Sequence, residues 1–541
     1  MNTLKICLIL LIAFTSELFS QVNEAWRRSY TTEIESRLIS CVTDNSGNII
    51  TGTSVNRSGL GEFSNFVIIK FNSSGDTLWR REYHSIGNKH DHLFDIYADA
   101  AGNIYATGLS TAYQTTEVAT TRTIKFSPSG DLLWTRSDST NSVMAVNGET
   151  KEGYIQEGPN GDIFVATNKL KRLYVIRYTP SGNLVSHEEI DVPSEFYNRT
   201  LPRKFTIDSS GMYFFCSAVN SSYNEVVLAI KCNLFGDTLW TWNNRFNNNL
   251  HEGARDMTFD TQGNIYFLSE ILLTFTTSKF AVTKMTTSSA IIWEKIYGSG
   301  NDRIIPTDLN TDNNNNAIVI FKQPNPSNNN KYDAVTIKYG PAGDSLWTKR
   351  LRGFNNKHVM PNNLTIDNNN YIYITGQYPM VTSDAQFIQK YSPTGDSLWN
   401  FNIQGVNYWS IGWFVKIDNS GNAIVASSRE SGIMLTKFAN ATSIKQTSSE
   451  IPESFSLGQN YPNPFNPVTV IRYSLIGNRF VTLKVFDVLG NEIATLVNEK
   501  QNSGTYSYQF STVNYQLASG TYFYRLTAGE FSETKKMILT K

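Results

Sequence analysis

The sequence predicts an all-β chain, an eight-bladed β-propeller followed by a small immunoglobulin-like β-sandwich. The first observation behind this is a repeat. One unit of about 53 residues recurs eight times, and a fixed period of that size built from short strands marks a propeller or a similar array. The second is the content of each unit, four β-branched and aromatic runs separated by Gly, Pro, Asn and Asp turns. The third lies at the ends. The last unit stops one strand short, after residues 433–438, and residues 25–31, around Trp26-Arg-Arg-Ser-Tyr30, resemble the outer strand it lacks. We expect this segment to complete the eighth blade, which removes an open sheet edge and ties the ends of the ring together.

Residues 91–134 show how one unit reads. Leu93–Asp99 is a short apolar strand, and Asp99-Ala-Ala-Gly-Asn103 is a tight turn that Asp caps locally. Ile104–Leu109 and Thr121–Phe126 follow as strands. Ser127-Pro-Ser-Gly-Asp131 then turns the chain into a fourth strand, Leu132–Arg136. The outer turn and strand carry Gly-Asp-x-Leu-Trp, as at Gly75–Trp79, Gly130–Trp134, Gly236–Trp240, Gly343–Trp347 and Gly395–Trp399. A divergent copy ends at Trp293, and Ser186 fills the Trp slot of another. The first turn keeps its Asp in every unit except the third, which has Gly158. The third strand keeps a basic residue throughout, from Lys70 and Lys125 through Arg177 to Lys437. These read as repeated Lys–Asp pairs at the rim. Calcium in Asn-rich turns such as Asp312-Asn-Asn-Asn-Asn316 is the sharper alternative, but each turn offers a single carboxylate and calcium takes several oxygen ligands.

Length and charge set further bounds. The chain has 541 residues, enough for one large and one small domain, and its formal net charge of +0 gives no electrostatic case for nucleic acid or an anionic membrane. Residues 1–20 read as a secretory signal peptide, with Lys5, a short apolar run from Ile6 to Phe14, and a small residue at Ser20. The mature chain then keeps Cys41, Cys216 and Cys232, an odd number that builds no disulfide framework. Cys216 and Cys232 share one hairpin, whose loop near Asn220–Tyr223 sets Cys216 opposite about Val227. The propeller is expected over 21–440, a Ser/Thr-rich linker over 441–453, and the small β domain over 454–541.

The last segment carries Tyr461-Pro-Asn-Pro-Phe-Asn-Pro467, Val485-Phe-Asp-Val-Leu-Gly490, Leu517-Ala-Ser-Gly-Thr-Tyr-Phe-Tyr524 and the terminal Lys535-Lys-Met-Ile-Leu-Thr-Lys541. In that order these motifs closely resemble the type A C-terminal sorting domain of the type IX secretion system. The resemblance implies a Gram-negative bacterium of the Bacteroidetes–Chlorobi kind. It also implies recognition of residues 454–541 by the secretion machinery at the outer membrane, then surface attachment or release, with no catalysis in this domain. The repeats, through their Asp-x-x-Gly-Asn-Ile-Tyr strand and the basic residue before the Ser-Gly turn, resemble the SBBP-type β-propeller repeat. That resemblance implies a fold and no single activity.

Function is sought on the face where the loops are long and variable, those that link blades and those between second and third strands. His90, His251 and His358 each stand nine residues before their unit's turn Asp, and Arg303 and Trp409 fill the same slot in two other copies. Three imidazoles can hold zinc with an open position, so a zinc-dependent lyase or hydrolase is the alternative reading. Asp95, Asp256 and Asp308 stand four before the turn Asp on the innermost strands, with Asn363 matching them. They line the channel or hydrogen-bond across blades, since buried polar groups need partners. The Gly-to-Trp spacing resembles the Trp-docking motif of quinoprotein dehydrogenases, but no adjacent cysteines accompany it, and the Trp reads as blade packing. Tyr408, Trp409 and Trp413, with Arg303, are the candidate ligand-binding residues, because aromatic faces stack on sugar rings. The sequence thus points to a monomeric exported propeller that binds a glycan, peptide or protein, with no assigned catalytic residue and no cofactor.

Overall fold

The computed structural model describes residues 23–540 apart from 32–35, 56–63, 86–88, 113–119, 140–152, 170–171, 197–198, 221–223, 245–250, 354–357, 379–384, 404–412, 430–431, 440–443, 449, 467 and 512–516. The chain divides into two compact units, one within 24–439 and one that includes 440–541. The first consists of eight four-stranded antiparallel sheets. Blade 1 begins with Ser36–Thr43, blade 2 with Lys89–Ala98, blade 3 with Gly153–Glu157 and blade 4 with Arg199–Asp208. Blades 5 to 8 begin with His251–Phe259, Ile305–Thr311, Met360–Ile366 and Trp413–Ile417. In blade 8 the sheet order runs from Trp413–Ile417 through Ala423–Arg429 and Gly432–Ala439 to Asn23–Thr31. The N-terminal strand therefore completes the last blade, as its sequence predicts. Gly432, at φ +151°, faces the Tyr30 carbonyl, where any Cβ would collide with the backbone of that closing strand.

One set of contacts repeats at the blade seams. In four blades the Trp of the outer strand lies over the outer-turn Gly of the next blade: Trp79 over Gly130, Trp134 over Gly182, Trp293 over Gly343 and Trp347 over Gly395. These glycines have φ between +84° and +86°, so a side chain there would be strained as well as blocked by the indole. Trp26 lies over Gly75 in the same way and closes the ring. The indole N–H donates to a carbonyl of that next turn, Pro128 for Trp79 at 2.9 Å and Pro341 for Trp293 at 2.9 Å. Burying a ring of this size stabilises each seam by roughly 3 kcal/mol.

The repeated basic residue serves the same seam from inside. Lys338 pairs with Asp312 at 2.7 Å and also donates to the Pro393 carbonyl of the next blade at 3.0 Å. Lys70 with Asp44, Lys284 with Asp260 and Lys437 with Asp418 repeat the pair. The pairs of Lys70, Lys284 and Lys338 are buried, and Lys437 keeps 14% of its side chain exposed. Blade 3 shows how the rule survives substitution. Gly158 has replaced the Asp, and Arg177 pairs instead with Asp162 at 2.6 Å. Where Ser186 has replaced the Trp, Gly236 of the next blade meets Glu188 and Ile190.

The C-terminal unit has two four-stranded sheets around one core that includes Phe465, Ile471, Val485, Tyr508, Tyr524 and Met537. One sheet pairs Arg479–Phe486 with Glu492–Gln501 and Gly520–Ala528, and the latter with Phe531–Leu539. The other contains Val468–Leu475 and Gly504–Ser511, with Ile444–Ser448 along its edge. That edge strand corrects the linker reading of 441–453. A short polar segment is recruited because backbone hydrogen bonds to an open sheet edge need no apolar pattern. Two smaller corrections follow. Cys216 pairs with Leu228, one residue from expectation, because Asn220 and Asn224 close the hairpin. Residues 323–333, between the second and third strands of blade 6 where the long variable loops were sought, continue the hairpin as Ala317–Asn325 and Asn328–Tyr339.

Candidate functional site

Turn chemistry comes first, because it leaves one face of the ring saturated. At Asp312 one carboxylate oxygen accepts the Asn314 and Asn316 N–H groups, and the Asn316 amide and the Lys338 ammonium take the other. Asp44, Asp260 and Asp418 repeat this arrangement. Such turns have no carboxylate left to offer a cation, and the amide and ammonium donors would repel one.

The three predicted Asp on the innermost strands are stitches between neighbouring blades. Asp95 of blade 2 accepts the Ile155 N–H of blade 3 at 3.3 Å. Asp256 of blade 5 accepts the Leu309 N–H of blade 6 at 3.1 Å, and Asp308 accepts the Leu364 N–H of blade 7 at 2.8 Å. Asn363 continues the series to Val415 of blade 8 at 3.0 Å. Sequence reasoning missed Lys204, which holds this position in blade 4 and pairs with Asp256 at 2.7 Å. Its side chain is 41% exposed. Burial pushes the Asp308 carboxyl well above the usual carboxylate range, and the neighbouring Asp256 charge pushes it further. Burial would raise Asp256 too, but Lys204 and hydrogen bonds carry it below its ordinary value. Of this pair, Asp308 therefore holds a proton more tightly than Asp256.

His90 and His358 occupy equivalent places. Nδ1 of His90 accepts the Ser64 N–H of blade 1 at 3.2 Å, and Nδ1 of His358 accepts the Tyr332 N–H of blade 6 at 3.3 Å. Each imidazole is therefore a latch to the preceding blade. Burial lowers the pKa of both, which favours the neutral ring that an accepting Nδ1 requires. His251 opens the first strand of blade 5, but its side chain lies outside the described residues. Among the described residues, no three His, Cys, Asp or Glu gather as metal ligands.

Arg303 sits in the same slot of blade 6. Its backbone bridges to Ser278, at the start of blade 5's third strand, and its guanidinium reaches Glu270 at 3.3 Å. Arg255 grips the other Glu270 oxygen. Lys322, on the second strand of blade 6, lies within electrostatic reach of both Arg255 and Glu270. Arg255, Glu270 and Lys322 were not singled out in the sequence, because none stands in a short motif. Of the other predicted ligand residues, Tyr408 and Trp409 lie outside the described residues. Trp413 begins the first strand of blade 8, but its side chain is likewise not described.

Comparison with known proteins supports both halves of the chain. The family described as the secretion system C-terminal sorting domain matches residues 459–540, and the β-propeller repeat family matches residues 346–377. The chain is thus a propeller carrying a type IX sorting domain, which marks it for export to the cell surface or beyond. It is also similar to an uncharacterized WD repeat-containing protein of Acanthamoeba polyphaga mimivirus, at 26% identity over 180 residues. That match spans 32% of this chain and only 12% of the relative. Among solved structures, a protein from Lactobacillus plantarum aligns at TM-score 0.39 and 14% identity, over 58% of this chain and 84% of that one. Drosophila Plexin A in complex with Semaphorin 1b aligns at 0.38 and 9% identity, over 77% and 87%. The WD40 domain of SCAP from fission yeast aligns at 0.33 and 7% identity, over 76% and 97%.

Proposed function

We propose that this protein is an exported propeller that binds a glycan, peptide or neighbouring protein through its loop face, without catalysing a reaction. The observation that supports this reading is the contrast between the two faces. On one, the turn carboxylates are consumed by their own backbone and lysines. On the other, Arg303 is fixed by its backbone bridge to Ser278, yet leaves a quarter of its side chain exposed (25%) beside two further cations. Residues 454–541 engage the type IX secretion machinery, and the mature chain acts as a monomer at the cell surface or in the medium.

The test is a glycan and surface-protein array probed with the full chain, followed by Arg303→Ala, Tyr408→Ala, Trp409→Ala and Trp413→Ala. Loss of binding in at least one loop-face variant is the expected result. Full binding by all four would move the site off this face.

A further inference from the structure

The C-terminal unit carries an apolar feature that its own fold does not require. In Arg479–Phe486 the residues Val481, Leu483 and Val485 belong to the core, and so do Tyr522, Tyr524 and Leu526 of Gly520–Ala528. The intervening positions lie on the other face, which in a sheet solvated on one side is ordinarily polar. Yet Phe486 and Phe523 stand opposite each other there, in register and half-buried. Directly after Phe486 the chain turns at Asp487-Val-Leu-Gly-Asn491, with Val488 at 66% and Leu489 at 83% exposure. The turn needs neither of them. Asp487 caps it by accepting the Leu489 and Asn491 N–H groups, and Gly490 supplies φ +85°. The same turn in the propeller carries Asn45-Ser46, Ala100-Ala101, Thr261-Gln262 or Asn419-Ser420 at these places.

Beside the tip lies a cleft of about 270 Å³. Its lining is part apolar, with Phe486, Val488 and Phe523, and part polar, with Asp487, Arg525 and Thr534. The two charged groups differ in what they can still offer. The Asp487 carboxylate is taken by the turn backbone and by the Asn491 amide at 2.9 Å. Arg525 lies over the Phe486 ring at 5.0 Å and donates its Nε–H to Thr534 at 3.0 Å. Its terminal N–H groups have no partner among the described residues. Lys536, which pairs in register with Phe523 on the next strand, is exposed as well.

We propose that this cleft and the Val488–Leu489 tip form the surface by which the sorting domain docks on a protein of the secretion machinery, and that the docked segment presents an apolar side chain beside a carboxylate. This deepens the assignment of residues 454–541 to that machinery and rests on it. The apolar side chain packs against Phe486 and Phe523, where exposed apolar surface marks a contact site. The carboxylate meets the open fork of Arg525 in two-point contact, with Lys536 adding a further positive charge. A protein is favoured over an anionic lipid surface because the concavity can enclose a side chain, whereas a flat interface would engage only the tip.

The experiment follows the full chain in a type IX-secreting bacterium and reads the ratio of exported to periplasmic protein, with the melting temperature of each variant as a check on folding. Val488→Ser with Leu489→Ser, and separately Arg525→Glu, should each lower the ratio at least roughly tenfold and leave the melting temperature unchanged. Phe480→Ser, exposed at the far end of the same face, should export as the wild type does. Wild-type export of both the tip variant and Arg525→Glu would overturn the proposal, and so would an equal loss in Phe480→Ser. Loss in the tip variant with Arg525→Glu silent would overturn the carboxylate. Tip-dependent binding of the purified chain to anionic vesicles, or a dimer that the tip variant dissociates, would overturn the protein partner in favour of a lipid or a second copy. Undiminished export of the wild type from a strain whose type IX machinery is deleted would instead overturn the sorting assignment itself.

Discussion

The same turn sequence occurs in both units of this protein and does different work in each. Asp312 to Asn316 in the propeller and Asp487-Val-Leu-Gly-Asn491 in the C-terminal unit both cap the backbone through the leading carboxylate. Asn316 and Asn491 both return an amide to it. The propeller turns add a buried lysine, and their two tip residues are polar or small, as in Asn45-Ser46, Thr261-Gln262 and Asn313-Asn314. Around Asp487 the hydrogen bonds come from Asn491 and the turn backbone, and the tip holds Val488 and Leu489 at 66% and 83% exposure. A local motif therefore fixes the turn and nothing more. What the turn contributes depends on what the fold places against it.

The strongest way to break this contrast is to remove the lysine. Lys338→Met leaves Asp312 buried without its counter-charge and should cost about 3–5 kcal/mol in chemical denaturation. A cost below about 1 kcal/mol would show that the Asp–Lys pair is not what separates the two kinds of turn. Next comes Trp26→Ala, which removes the indole that rests on Gly75 at the closing seam. A loss of about 2 kcal/mol is expected, less than for a fully buried Trp because Trp26 is only half-buried. If the loss were nil, the eighth seam would not resemble the others.

A third variant probes the inner stitches. The folded pKa of Asp308 is raised, so its contribution to stability is present at low pH and is lost as pH climbs through the folded value. Asp308→Asn carries no charge at any pH and can keep the Leu364 bond, as Asn363 does toward Val415. Its melting temperature should gain on the wild type as pH rises from the ordinary carboxylate range through the raised folded value. Parallel curves would refute the raised Asp308 carboxyl. The smallest effect is expected at the apolar tip. Val488→Ser with Leu489→Ser should change stability by less than about 0.5 kcal/mol, since neither side chain is packed. A larger loss would mean that the tip is structural, as the propeller turns are.

Much of the architecture was legible because each seam leaves a trace in sequence. The Gly under the indole, the Trp above it and the Lys beside them recur at fixed spacing, and even the N-terminal strand announces itself through Trp26. The strand at Ile444–Ser448 was hidden because an edge strand with a polar sequence has no pattern to read. The histidine register was legible, but the role of Nδ1 was not, since it depends on a backbone N–H supplied by the blade before. Glu270, whose two oxygens hold Arg255 and Arg303, was hidden because none of the three stands in a short motif.

The closing strand has a consequence for how the molecule is made. Arg429 donates to Ser29 across 400 residues of sequence, so the first strand must wait for the last blade before it has a partner. Until then the nascent chain carries an unsatisfied edge at its leading end. Since the seams under Trp26, Trp79, Trp134, Trp293 and Trp347 use equivalent contacts, the position of the join is interchangeable among them. A circular permutant that joins the end of Gly432–Ala439 to the start of Asn23–Thr31, and opens between two other blades, should rebuild the same ring with its waiting partner moved elsewhere.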